Sequence, residues 1–188
     1  MGGLEFTYEE DTYCPWDRFL PVAATAARYL PQGGKVADIG CGVGSLGLWL
    51  GFHRPDARIF GFDISETAVR LSISNAQRLG VKAHYAVADG LGACKGPIDL
   101  ALANLPYEAG EGDDPRYVAG IGGYEVVCRA FLQARYCLSP KGHIVAYSDT
   151  AHAVGWMKMW RLLRFEPVEY RQTDESGSTV WVVKDAAS

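Results

Sequence analysis

The stretch Val36-Ala37-Asp38-Ile39-Gly40-Cys41-Gly42-Val43-Gly44 decides the fold. Lys35 to Ile39 is a short apolar run that breaks off into glycines, the pattern of a buried strand. The glycines at 40, 42 and 44 then lead into a helix predicted from Ser45 to Phe52. Lacking a Cβ, glycine lets the chain turn tightly and brings backbone close to a ligand. In open α/β sheets ligands bind outside the carboxyl ends of the strands, which is where this turn falls. The spacing is G-x-G-x-G rather than the dinucleotide spacing G-x-G-x-x-G.

Outward from this turn, apolar runs alternate with helical patterns, the βαβ signature of a mostly parallel sheet with helices on both faces. Upstream, a helix is predicted from Trp16 to Leu30, stopped by Pro31-Gln32-Gly33-Gly34. Downstream, Arg58 to Phe62 reads as the second strand. Ser65 caps the next helix, whose apolar positions Ala68, Val69, Leu71, Ile73 and Ala76 run to Gly80. Strands are predicted at Ala83–Val87 and Ile98–Ala103, both read as buried. A Gly- and Asp-rich loop from Glu108 to Gly123 precedes a helix from Tyr124 to Leu138, then a strand from His143 to Tyr147. A helix from Ala153 to Leu163 and two strands, Phe165–Tyr170 and Thr179–Val183, close the sheet edge.

The 188 residues suit one domain, with residues 1–30 as an N-terminal lid or helix segment and 31–188 as the core. No run of about 20 apolar residues exists, and Met1–Phe6 lacks the pattern of a signal peptide, so the expectation is a cytoplasmic protein without a membrane span. Eighteen basic against 22 acidic residues give a net charge of −4, which argues against autonomous nucleic-acid binding. The basic residues Lys158, Arg161, Arg164 and Arg171 read first as a solvated face and second as a phosphate patch. Five widely spaced cysteines and four scattered histidines form no metal motif, so no metal is expected. Trp156, Met157, Met159 and Trp160 fit either a core face or a partner face.

Three acids sharpen the ligand. Asp38 lies just before the turn, where a carboxylate repels a pyrophosphate and attracts a cationic amino acid end. It also fits the role of pinning the turn through backbone N–H groups. Asp63 follows 25 residues later at the end of strand two, placed for the two hydroxyls of a ribose or for a helix N-cap. Asp89, in Ala88-Asp89-Gly90 after strand three, suits an adenine amino group or a simple Asp-Gly turn. Acids at the tips of three successive strands read amino acid, ribose and adenine in order.

In this order and spacing the sequence resembles the Rossmann-like, class I S-adenosylmethionine-dependent methyltransferases. The matching pieces are the Asp38 to Gly44 turn, Phe62-Asp63-Ile64, Ala88-Asp89-Gly90 and Asn104-Leu105-Pro106-Tyr107. The resemblance implies a doubly wound sheet of seven strands, the last antiparallel, with S-adenosylmethionine as cofactor. It carries the cofactor-binding role to Asp38, Gly40, Cys41, Gly42, Gly44, Asp63, Ile64, Asp89, Gly90 and Asn104.

Asn104-Leu105-Pro106-Tyr107 resembles the N-P-P-Y motif of methyltransferases acting on planar nitrogens, with Leu105 in place of the first proline. These include release-factor glutamine, adenine-N6 and guanine-N2 enzymes. The lone pair of such a nitrogen is tied up in a π-system, so the group has to be held in one orientation to attack a methyl carbon. The Asn104 side-chain oxygen and the Leu105 carbonyl can each accept one N–H of the target. Pro106 stiffens the turn and Tyr107 can stack on the flat group. Tyr13-Cys14-Pro15-Trp16-Asp17 loosely resembles a Tyr-x-Pro segment of release-factor enzymes, fitting a lid over the cofactor or a surface tether. The acidic loop from Glu108 to Gly123 fits a pocket wall for neutral or cationic substrates, or a solvated connection.

These readings favour N-methylation of a glutamine-like protein side chain or a small metabolite. Nucleic-acid base methylation, small-molecule O-methylation and a non-catalytic subunit working with a partner are the alternatives.

Overall fold

The computed structural model describes residues 3–10, 12–13, 19–107, 124–173 and 177–187. The elements run α1 (Leu20–Tyr29), β1 (Lys35–Ile39), α2 (Ser45–His53), β2 (Arg58–Asp63), α3 (Glu66–Leu79), β3 (Ala83–Val87), β4 (Ile98–Ala103), α4 (Glu125–Cys137), β5 (Leu138–Asp149), α5 (Ala153–Leu162), β6 (Phe165–Gln172) and β7 (Ser178–Asp185). A 3₁₀ turn, Thr150–His152, joins β5 to α5.

The seven strands form one sheet in the order β3-β2-β1-β4-β5-β7-β6. Only β7 is reversed, pairing antiparallel with both β5 and β6, as the resemblance implied. The order doubles back between β1 and β4, and that switch point opens a crevice at their carboxyl ends. Alternate residues of the central strands feed two cores. Val36, Leu100 and Val145 pack with α1, α2 and α3 on one face. Ala37, Ile39, Ala101 and Ile144 pack with α4 and α5 on the other.

Local chemistry sets most boundaries. Ser65 accepts the Ala68 N–H at 3.2 Å to start α3, and Gly80, left-handed at φ 67°, ends it. The first helix begins at Leu20 rather than Trp16, with Pro21 in its first turn where no N–H is needed; Trp16 to Arg18 lie outside the described residues. β3 is not buried as expected, because it is an edge strand. Ile73 likewise faces solvent on α3. β5 begins five residues early, at Leu138, and reaches register with β4 through an irregularity: Ile98 faces Leu138, then Leu100 faces His143. Trp156, Met159 and Trp160 are core, while Met157 is exposed.

Candidate active site

The turn after β1 is built by backbone and fastened by side chains. Gly40, Gly42 and Gly44 all hold positive φ (63°, 54° and 84°), a conformation that side chains with a Cβ resist. Asp63 ties this turn to the end of β2: its Oδ2 accepts the Gly42 N–H at 2.8 Å and its Oδ1 the Ser65 N–H at 2.9 Å. Cys41 N–H donates to the Phe62 carbonyl at 3.0 Å. From α3, the Ser72 hydroxyl donates to the Gly42 carbonyl at 2.8 Å and Asn75 Nδ2 to the Val43 carbonyl at 3.0 Å. Ser72 and Asn75 are fully buried. The sequence reading missed both. Their signal was a pair of small polar residues, three apart, on the inward stripe of α3.

Asp38 is 1% exposed. Its Oδ2 accepts the Gly47 N–H of α2 at 2.9 Å, so the turn-pinning role is real. Its Oδ1 is buried with no hydrogen-bond partner among the described residues. Burial pushes its pKa up to about 7, against the Gly47 hydrogen bond, and the nearby Asp63 charge adds to the rise. A buried carboxylate oxygen with nothing to accept from is costly unless a cation or donor reaches it. That is the fit expected for the amino end of a ligand. Burial likewise raises the Cys41 thiol well above its usual range, so the thiol stays protonated and serves as packing beside Ser72.

Tyr85 of β3 also escaped the sequence reading. Its ring lies over Gly61 so closely that any Cβ there would overlap it, and its hydroxyl is buried without a hydrogen bond. Asp89 stands further out. Its half-exposed carboxylate pairs with Arg129 of α4 at 3.3 Å. Gly90 is left-handed (φ 60°), and Gln133 clamps the turn, accepting the Leu91 N–H at 2.7 Å and donating to the Asp89 carbonyl at 3.2 Å. Ile64 presents an exposed apolar side chain beside Asp63.

Across the crevice, Asn104, Leu105, Pro106 and Tyr107 follow β4. The Leu105 side chain is buried against the glycine turn; a Cβ at Gly40 would stand 2.7 Å from its Cδ2. An apolar residue at this departure from N-P-P-Y therefore joins the two turns. The Asn104 side chain is partly exposed and has no hydrogen-bond partner among the described residues. The Tyr107 ring packs against Tyr147 (centroids 6.4 Å), His152 (5.4 Å) and Trp156 (6.4 Å). The structure thus gathers every candidate site residue along one edge of the sheet.

The N-terminal segment reaches the same edge. The Thr7 N–H donates to Asn75 Oδ1 and the Thr7 carbonyl accepts from Asn75 Nδ2, each at 2.9 Å, and Leu4 and Phe6 are buried. The Tyr13 carbonyl lies 3.5 Å from where a Gly42 Cβ would stand. Cys14 to Asp17 and the Glu108–Gly123 loop lie outside the described residues.

The model of the methyltransferase small domain matches residues 22–153, which take in the glycine turn, the three acids and the Asn104 turn. The chain belongs to the methyltransferase small domain family. The donor this membership implies is S-adenosylmethionine. The chain is 43% identical over 77 residues to a release factor glutamine methyltransferase of Rhodospirillum rubrum, covering 40% of this chain and 24% of that one. It is 34% identical over 77 residues to the ribosomal RNA small subunit methyltransferase C of Pseudoalteromonas atlantica, covering 41% and 22%. These alignments span about a quarter of the length of either relative. Among solved structures, a ribosomal protein L11 methylase from Lactobacillus delbrueckii superposes with a TM-score of 0.74 at 15% identity, over 95% of this chain and 83% of that one, a likeness of fold. No helix among the described residues of the methyltransferase is long and apolar enough to cross a membrane.

Proposed function

We propose that the chain transfers a methyl group from S-adenosylmethionine to a planar or amine nitrogen of a protein side chain or small metabolite. The observation that carries this reading is the Asn104 turn, its side-chain amide without a partner among the described residues and set beside the glycine turn through the Leu105–Gly40 contact. The bound sulfonium supplies an activated methyl group.

The residues divide the work. Asp38 Oδ1 has the free lone pairs to receive a ligand's ammonium group. Each Asp63 oxygen spends one lone pair on a backbone N–H and keeps one for a ribose hydroxyl. Gly40, Cys41, Gly42 and Gly44 give the close backbone approach. Ile64 offers a flat apolar surface to the adenine, and Asp89 and Gly90 offer polar groups to its edge. Asn104 and the Leu105 carbonyl accept the target N–H groups and aim the nitrogen; Pro106 and Tyr107 hold the plane. Tyr13 beside Gly42 favours the lid role for the N-terminal segment.

A second reading, methylation of a nucleic-acid base, draws support from the relatives named for ribosomal RNA. Purified chain is offered labelled S-adenosylmethionine together with fractionated protein, RNA and metabolite pools. Label in protein or metabolites supports the first reading, and label in RNA moves it to the second. Calorimetry with S-adenosylhomocysteine tests the cofactor site alone; absence of binding ends both.

A further inference from the structure

Asp149 ends β5 at the same sheet edge as Asn104, and its Oδ1 accepts two hydrogen bonds from one residue. The His152 backbone N–H donates at 2.9 Å, and His152 Nδ1 lies 2.6 Å away. An ionised carboxylate only accepts, so Nδ1 is the donor in this contact, and the neutral tautomer with its proton there has its lone pair on Nε2. The histidine side chain is 31% exposed, and the contacts to Asp149 are its only hydrogen bonds among the described residues. Its ring lies 5.4 Å from the Tyr107 ring of the Asn104 turn and 6.4 Å from the ring of Tyr124, at the start of α4. Among the described residues, the groups facing it are Asp149 from β5, Tyr107 from the β4 turn and Tyr124 from α4, with one carboxylate among them.

We propose that His152, held by Asp149, is the catalytic base that takes the proton shed by the methyl acceptor. This rests on the reading of the chain as a nitrogen methyltransferase. Methyl transfer uses the acceptor nitrogen's lone pair for the new C–N bond, while the methyl carbon's bond to the donor sulfur breaks and its electron pair leaves with the sulfur. As the C–N bond forms, the N–H bond breaks, its electron pair stays on nitrogen, and the proton moves to His152 Nε2 in the same transition state. Asp149 stabilises the imidazolium as it forms, and water carries the proton away. A nitrogen with no proton to shed gains nothing from the pair, so the acceptor class narrows to N–H-bearing amides and amines.

His152→Phe keeps a ring against Tyr107 but has no lone pair, and Asp149→Asn keeps an oxygen for the His152 backbone N–H. Circular dichroism confirms that both fold. Transfer of label to the fraction that the unaltered chain methylates should fall about 100-fold or more in either variant. S-adenosylhomocysteine affinity should stay within twofold. If His152 takes the proton, the unaltered chain should show a rate that rises with pH, and His152→Phe should lose that rise. Independently of any acceptor, nitrogen NMR of the histidine rings should show His152 protonated on Nδ1, and Asp149→Asn should loosen that preference. A His152 protonated on Nε2, or variants retaining full rate and an unchanged pH profile, overturns the proposal. Failure of every fraction to take label from the unaltered chain removes the transferase reading instead, a result visible before any variant is made.

Discussion

The two halves of the crevice are built by different means. Around the ends of β1 and β2, nearly every contact is a hydrogen bond to backbone: Asp63 to Gly42 and Ser65, Asp38 to Gly47, Ser72 and Asn75 to the turn carbonyls. Around the ends of β4 and β5, rings from four places converge: Tyr107, Tyr147, His152 and Trp156. The first half is a cradle fastened by hydrogen bonds between side chains and backbone. The second is a cluster of rings beside Asn104, whose side chain is partly exposed and has no hydrogen-bond partner among the described residues. A donor that never varies suits the former construction, and an acceptor that differs between relatives suits the latter.

The sharpest way to break this division is Asn104→Ala. Losing one orienting acceptor costs about 100- to 1000-fold in kcat, as for other preorganised hydrogen bonds at a reacting centre. The glycine turn is untouched, so affinity for S-adenosylhomocysteine, read by calorimetry, should fall far less than kcat, only by what Asn104 itself lends the cofactor. A comparable loss of cofactor binding would show that the halves are one unit. An unchanged kcat would favour an oxygen acceptor that has no use for the Asn104 turn.

Asp38 tests the cradle next. Unfolded, its carboxyl ionises near pH 4, whereas folded it holds its proton to about 7. Between these values the folded chain binds more protons than the unfolded one, so this contribution to stability falls as pH rises through the interval and levels off above it. From pH 5 to 7 the loss is roughly 3 kcal/mol at 1.36 kcal/mol per unit. Urea unfolding at pH 5 and pH 7.5 should therefore show the ligand-free chain losing roughly that much relative to Asp38→Asn. If its ammonium meets the carboxylate as proposed, S-adenosylhomocysteine should restore the unaltered chain and leave the variant where it was. Parallel unfolding curves at the two pH values would mean that Asp38 is charged throughout.

The same division explains what the sequence made legible. The cradle is local: strand, glycine turn and helix occupy one continuous stretch, and Asp63 and Asp89 recur at strand ends, so residue order alone exposed them. The Ser72 and Asn75 anchors were hidden because their partners are backbone carbonyls some 30 residues away, which leave no side-chain pattern to match. Tyr85 was hidden because its meaning lies in Gly61 across a strand pair. In the acceptor half, the Asn104 turn was readable as a motif, while the Asp149–His152 pair was not. A histidine three residues from an aspartate says little until the 3₁₀ turn folds one onto the other. Strand β3 was misjudged for a related reason: its apolar run suggested burial, but edge position follows from strand order rather than from composition.

The smallest effect is the most informative about how far the cradle is prebuilt. Ser72→Ala removes one buried hydroxyl and leaves the Gly42 carbonyl with only the distant Cys41 thiol, 3.9 Å away, to face it. An unsatisfied buried carbonyl costs about 1–2 kcal/mol. If the turn is fully formed without ligand, that cost appears as lost stability in urea unfolding of the free chain, and S-adenosylhomocysteine affinity hardly moves, because free and bound states lose the same bond. If the turn closes only around the ligand, the bond is missing from the free chain already; then stability holds and affinity drops about five- to thirtyfold. The hydrogen bonds from Asp63, Asn75 and Ser72 onto one turn of three left-handed glycines predict the first result. The second would shift the boundary between cradle and ring cluster to the near side of the glycine turn.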